Sequence, residues 1–170
     1  QEKKEDDGPM REISLVIPAN FLPSRQHYSF TLKVQETDYR AYPSSARYGI
    51  LTNGAPLPGE FFVSPVSGSE YSDVFTLRAV LWYDEDMPLT YVFSYEDTSD
   101  INVSMFPLKA RDSSNYFKTE LPAGPSNKDN KLSLVLQVYD VLGTDSTMKR
   151  DVVVETDESI DLERVIELAD

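Results

Sequence analysis

The 170-residue chain contains no cysteine. That excludes a disulfide framework, a thiolate zinc site and a cysteine nucleophile. It leaves the compartment open, because a secreted domain of this size can stand on its core alone. There is one histidine, His27. No stretch approaches the ~20 apolar residues that span a bilayer. The first eight residues, Gln1 to Gly8, are charged and lack an apolar centre, so they do not read as a secretion signal. An extracellular location would therefore make this chain a mature fragment of something larger. Positive charge is scarce: 16 Lys and Arg stand against 29 Asp and Glu, for a net charge of −13. Phosphate backbones and anionic bilayers both repel such a chain, so the expectation is no nucleic acid and no direct membrane contact. The charge suits solubility and cations. No serine nucleophile elbow, glycine-rich phosphate loop or pair of histidines at metal-binding spacing occurs. The chain does not read as an enzyme.

What is present is β-sheet. Apolar residues make up 40% of the sequence, with ten Tyr and eight Phe, enough for a sizeable core. Tyr28, Phe30, Leu32 and Val34 alternate with polar residues at strict period two, a strand signal. Ile13–Ile17 is a shorter strand candidate stopped by Pro18. Residues 46–51 form another, ended by Asn53-Gly54. Beyond Pro58 the predicted strands are 61–65, 74–82, 89–95, 101–105, 116–121, 132–139 and 148–155. Phe75, Leu77, Ala79 and Leu81 are placed on one face, as are Leu132, Leu134, Leu136 and Val138. Seven strands in roughly 100 residues is the density of an immunoglobulin or fibronectin type III sandwich. No βαβ alternation appears, so a parallel-sheet enzyme fold is disfavoured.

The fold class expected is all-β: a charged tail over 1–10, closing strands of a preceding sandwich over 11–57, and a complete sandwich over 58–156. A short helix over 157–170 follows, since Leu162, Val165, Ile166 and Ala169 repeat at helical spacing.

His27 precedes an inward Tyr28 and so faces solvent rather than serving as a base. Trp82, the single Trp, reads as a core anchor. Acidic residues cluster in three predicted turns: Asp84-Glu85-Asp86, Glu96-Asp97 with Asp100, and Asp140 with Asp145. Two readings stand for them. Asp in turns caps backbone groups; clustered carboxylates also supply the oxygens that calcium wants. Asp84, Asp86 and Asp140 are the candidate metal ligands. Strand polarity puts the loops after 74–82 and after 89–95 at opposite ends, so not all the acidic groups can converge. No other cofactor is implied. Asn102-Val103-Ser104 is an N-glycosylation triplet, with Asn102 as acceptor.

One pattern is more specific. Gly59, Val63-Ser64-Pro65, Gly68, Phe75, Leu77 and Trp82, then Asp84-Glu85-Asp86 and Pro88-Leu89-Thr90-Tyr91, resemble the REJ (receptor for egg jelly) region of polycystin-1-like membrane proteins. Leu51–Pro56 upstream and Val138–Gly143 downstream extend the resemblance to roughly 12–155. Where that family commonly carries a pair of cysteines, this chain has Phe61 and Ala79. A large ring opposite a methyl would fill the volume of the staple, whose ~2–4 kcal/mol must then come from packing.

The resemblance implies a non-catalytic extracellular structural or adhesion module of a large membrane protein, on the plasma or ciliary membrane, with neighbouring domains of the same protein as partners. The alternative is a calcium-dependent, cadherin-like adhesion repeat rigidified by metal at the acidic loops. A ligand-binding accessory domain, for carbohydrate for example, would need an exposed aromatic platform, whereas most aromatics alternate inward.

Overall fold

The computed structural model describes residues 12–34, 42–97 and 103–157. The chain divides into two compact units, Gln1–Asn53 and Gly54–Asp170. Basic and acidic residues number seven each in the first unit, against nine and 22 in the second. The net charge of −13 therefore belongs entirely to Gly54–Asp170.

In the first unit the period-two run becomes strand β1 (His27–Val34), which pairs antiparallel with β2 (Ser44–Leu51) in the register Tyr28↔Ile50, Phe30↔Tyr48 and Leu32↔Ala46. Alternation sorts the ribbon into an apolar face and a polar one carrying Lys33 and Arg47. His27 is exposed. Thr52 ties the base of the ribbon: its hydroxyl donates to the Pro23 carbonyl at 2.7 Å and accepts the Gln26 N–H at 3.0 Å. Ile13–Ile17, expected as a strand, is not one: it finds no pairing partner among the described residues, and Ile13, Leu15 and Val16 are exposed. Its apolar composition cannot make a strand without a ladder to join.

The second unit is a sandwich of two sheets. Its strands are β3 (Glu60–Ser64), β4 (Ser67–Ser69), β5 (Phe75–Val80), β6 (Thr90–Asp97), β7 (Ser104–Pro107), β8 (Tyr116–Thr119), β9 (Lys131–Tyr139) and β10 (Asp145–Glu155). One sheet has the order β3-β5-β8, the other β4-β10-β9-β6-β7. All pairs are antiparallel except β4 with β10. The chain leaves β3 at Pro65 and rejoins the opposite sheet as β4, a strand with no apolar alternation to announce it.

Between the sheets lie Phe61, Phe75, Leu77, Phe93, Leu134, Leu136, Val138, Val152 and Val154, all buried. They are the inward sets of their strands, as the alternation required. Phe61 and Ala79 are direct cross-strand partners, both buried, and Phe61 leans on Phe93 with ring centroids 6.1 Å apart. Trp82 packs half-buried against this core, and its indole N–H donates to the Glu60 carbonyl at 3.4 Å.

One inward assignment fails. Leu81 is 79% exposed, because the backbone turns to φ +60° there and ends β5 one residue earlier. Gly59 explains the turn's closeness: a Cβ at 59 would lie 2.1 Å from the Val80 carbonyl oxygen. The tail over 1–10, the glycosylation acceptor Asn102 and the C-terminal helix lie outside the described residues.

Candidate metal centre

Strand order decides which acidic loops meet. β6 and β9 are antiparallel neighbours with Thr90 opposite Tyr139. The loop entering β6 and the loop leaving β9 therefore share one end of the sandwich. That brings Asp84 and Asp86, which precede β6, beside Asp140, which follows β9. One carboxylate oxygen from each of the three lies within 4.8 Å of the others. Glu96 pairs with Ser133 at the far end of β6, so the Glu96-Asp97 group stands apart, and Asp100 falls outside the described residues. Asp145 opens β10 close by and is exposed, its carboxylate accepting from the Thr147 hydroxyl at 3.2 Å.

The loops are knitted by short-range bonds that fix the carboxylates. Asp84 Oδ1 accepts the Asp86 N–H at 2.8 Å, and Asp140 Oδ1 accepts the Thr144 N–H at 2.8 Å. The second loop closes through Asp140 N–H to the Thr144 carbonyl at 3.0 Å, with Gly143 at φ +93° making the turn. The Val141 N–H donates to the Asp86 carbonyl at 3.2 Å, joining the two loops directly. Asp84 and Asp140 are 2% and 0% exposed; Asp86 is half-buried.

Arg111 lies beside this cluster, and nothing in its local sequence marks it. It arrives from the segment between β7 and β8, donating from Nε to the Thr90 hydroxyl at 2.6 Å and from Nη2 to the Asp140 main-chain carbonyl at 3.1 Å. Its guanidinium lies 4.1 Å over the Tyr139 ring. The cation thus holds the backbone at Asp140 while that residue's side chain is bonded to Thr144. Three carboxylates at this separation supply hard oxygen donors, and a calcium ion's remaining oxygens would come from main-chain carbonyls and water.

The REJ domain family model matches residues 2–169 of the chain. The "Polycystin family receptor for egg jelly" of Mus musculus is 27% identical over 146 residues, covering 81% of this chain and 7% of that protein. The chain thus spans a small part of the relative it matches. A solved carbohydrate-binding module of the β-sandwich superfamily aligns over 61% of this chain and 36% of its own, with 18% identity and a TM-score of 0.43. With a sandwich of this topology and a family match from nearly the first residue to nearly the last, the chain belongs to the REJ domain family.

Proposed function

We propose that the chain is a non-catalytic, extracellular structural and adhesion module of a large polycystin-1-like membrane protein, carried outside the plasma or ciliary membrane and flanked by other domains of the same protein. The observation that carries this reading is the family match over residues 2–169. The relative's printed name, a polycystin family receptor, supports the membrane-protein setting. No helix among the described residues is long and apolar enough to cross a membrane. The sandwich core is built from the module's own buried apolar side chains, which suits a spacer or adhesion unit. An epitope inserted at Ser126–Lys128, an exposed turn, tests the placement. Expressed within its parent membrane protein, the epitope should stain on intact cells; staining only after permeabilisation refutes the reading.

A second reading has its own observation. The convergence of Asp84, Asp86 and Asp140 supports a calcium-stabilised repeat, in which the ion stiffens one end of the sandwich. The proposed ligands are these three residues, and the test is a thermal melt with calcium and with EDTA.

A further inference from the structure

The acidic unit carries two surfaces that complement each other. The first is the outer face of the β3-β5-β8 sheet. Register aligns Phe62, Arg78 and Tyr116 in one row across the three strands, with Ser64, Thr76 and Lys118 in the next. The Phe62 and Tyr116 rings are 47% and 57% exposed. A shallow depression of about 470 Å³ opens over Phe62, Ser64, Thr76, Arg78 and Val80. Arg78 and Lys118 make no ion pair or side-chain hydrogen bond with another described residue. In a unit with 22 acidic and nine basic residues, the strands of this face carry two uncommitted cations against one carboxylate, Glu60, with the exposed Glu120 just past the end of β8, which runs against the general charge. Exposed aromatics and Arg are the side chains that anchor protein contacts.

The second surface is the end of the sandwich built from Tyr83–Met87 and Asp140–Asp145. Tyr83, Met87, Val141 and Leu142 are all more than half exposed there. The same two loops carry the exposed Glu85 and Asp145, and the Val141–Asp86 bond makes the loops one surface. It is apolar and acidic, with Arg111 beside it committed to the Asp140 carbonyl, the Thr90 hydroxyl and the Tyr139 ring, where the first is aromatic and basic.

We propose that these surfaces bind each other between copies: the outer face of β3-β5-β8 in one molecule takes the acidic, apolar end of a second. The two patches differ, so the contact is heterologous and propagates as a head-to-tail stack rather than closing as a two-fold dimer. The three-stranded face is only ~17 Å by ~14 Å, below the size of a tight interface, so the association is weak and serves molecules held close together.

Sedimentation of the full chain in excess EDTA, where no cation contributes, tests the stack. The expected result is a sedimentation coefficient that rises between about 10 µM and 1 mM protein and falls back with added salt. The paired reversals Arg78→Glu with Lys118→Glu, and Glu85→Lys with Asp145→Lys, should each weaken association about tenfold or more. An equimolar mixture of the two double variants should restore it, because the reversed face of one then matches the reversed end of the other. That rescue separates a broken contact from a misfolded variant. Concentration-independent sedimentation of the unmodified chain overturns the proposal. So does association that survives both reversals, which would place the contact elsewhere, for instance on the apolar ribbon face of β1 and β2. Failure of the mixture to recover would overturn it as well.

Discussion

If Asp84, Asp86 and Asp140 hold calcium, the melting temperature of the chain must depend on it by an amount that can be worked out. Ionised carboxylate oxygens within 4.8 Å of one another repel by roughly 3.5 kcal/mol or more per pair at an effective dielectric of 20. A divalent ion converts that repulsion into attraction. Extracellular calcium modules bind at roughly 10⁻⁴–10⁻³ M. Two millimolar calcium, ~2–20 times such a dissociation constant, then stabilises by about 0.6–1.8 kcal/mol through mass action. For a unit of this size that is a rise of roughly 2–7 °C. The perturbation is Asp84→Asn. Asparagine keeps the Oδ1 that accepts the Asp86 N–H, so the loop bond survives while the charge goes. In EDTA the variant should melt at or above the unmodified chain, because two of the three repulsive pairs are relieved. In calcium it should show less than a quarter of the shift. Calorimetry with calcium, with EDTA and with magnesium reads all of this. No calcium-dependent shift in the unmodified chain refutes the metal reading, and an equal shift in Asp84→Asn removes that residue from the ligand set.

The buried Phe61–Ala79 pair allows a direct exchange of packing for a covalent staple. Phe61→Cys with Ala79→Cys should cross-link when oxidised, but losing the ring costs about 3–5 kcal/mol whereas a loop of ~18 residues returns about 3. Denaturant unfolding should therefore show the oxidised variant no more stable than the parent, and the reduced form several kcal/mol less stable. Gly59→Ala drives a Cβ to 2.1 Å from the Val80 carbonyl and should cost about 2 kcal/mol or more, read in the same assay. Burial pushes the Tyr91 phenol above its ordinary range. A raised folded pKa contributes stability that is complete below the unfolded value near 10 and is lost as pH rises through the folded one. Stability should fall over that alkaline window, and Tyr91→Phe should fall less steeply there; equal slopes would contradict the assignment.

The fold was legible where burial is one-sided. β5, β6 and β9 carry strict alternation, and their inward sets Phe75–Ala79, Tyr91–Tyr95 and Leu132–Val138 line the core or pack against it. Legibility failed where backbone geometry or pairing overrides pattern. Leu81 continues the alternation of β5, yet a left-handed residue at the strand's end turns it to solvent. Ile13–Ile17 has strand composition but no partner in the described ladders. β4 has a partner and no composition: Ser-Gly-Ser pairs with β10 through its main chain, and the Ser69 N–H is held by the Asp73 carboxylate.

The acidic trio depends on a different kind of information. Separation in sequence between Asp86 and Asp140 is large, and only the order β9-β6 makes their loops neighbours. Opposite strand directions suffice to exclude the Glu96 group, which is why part of the site follows from strand polarity alone. Arg111 does not follow, because its role rests on a main-chain carbonyl and an aromatic face supplied by β9 and a hydroxyl supplied by β6. The same limit governs the Phe62–Arg78–Tyr116 row. Each residue sits at an outward position that alternation identifies singly, but the row exists only through the registers of β3 with β5 and β5 with β8. Patterns along a strand report which side chains face solvent; pairing decides which of them act together.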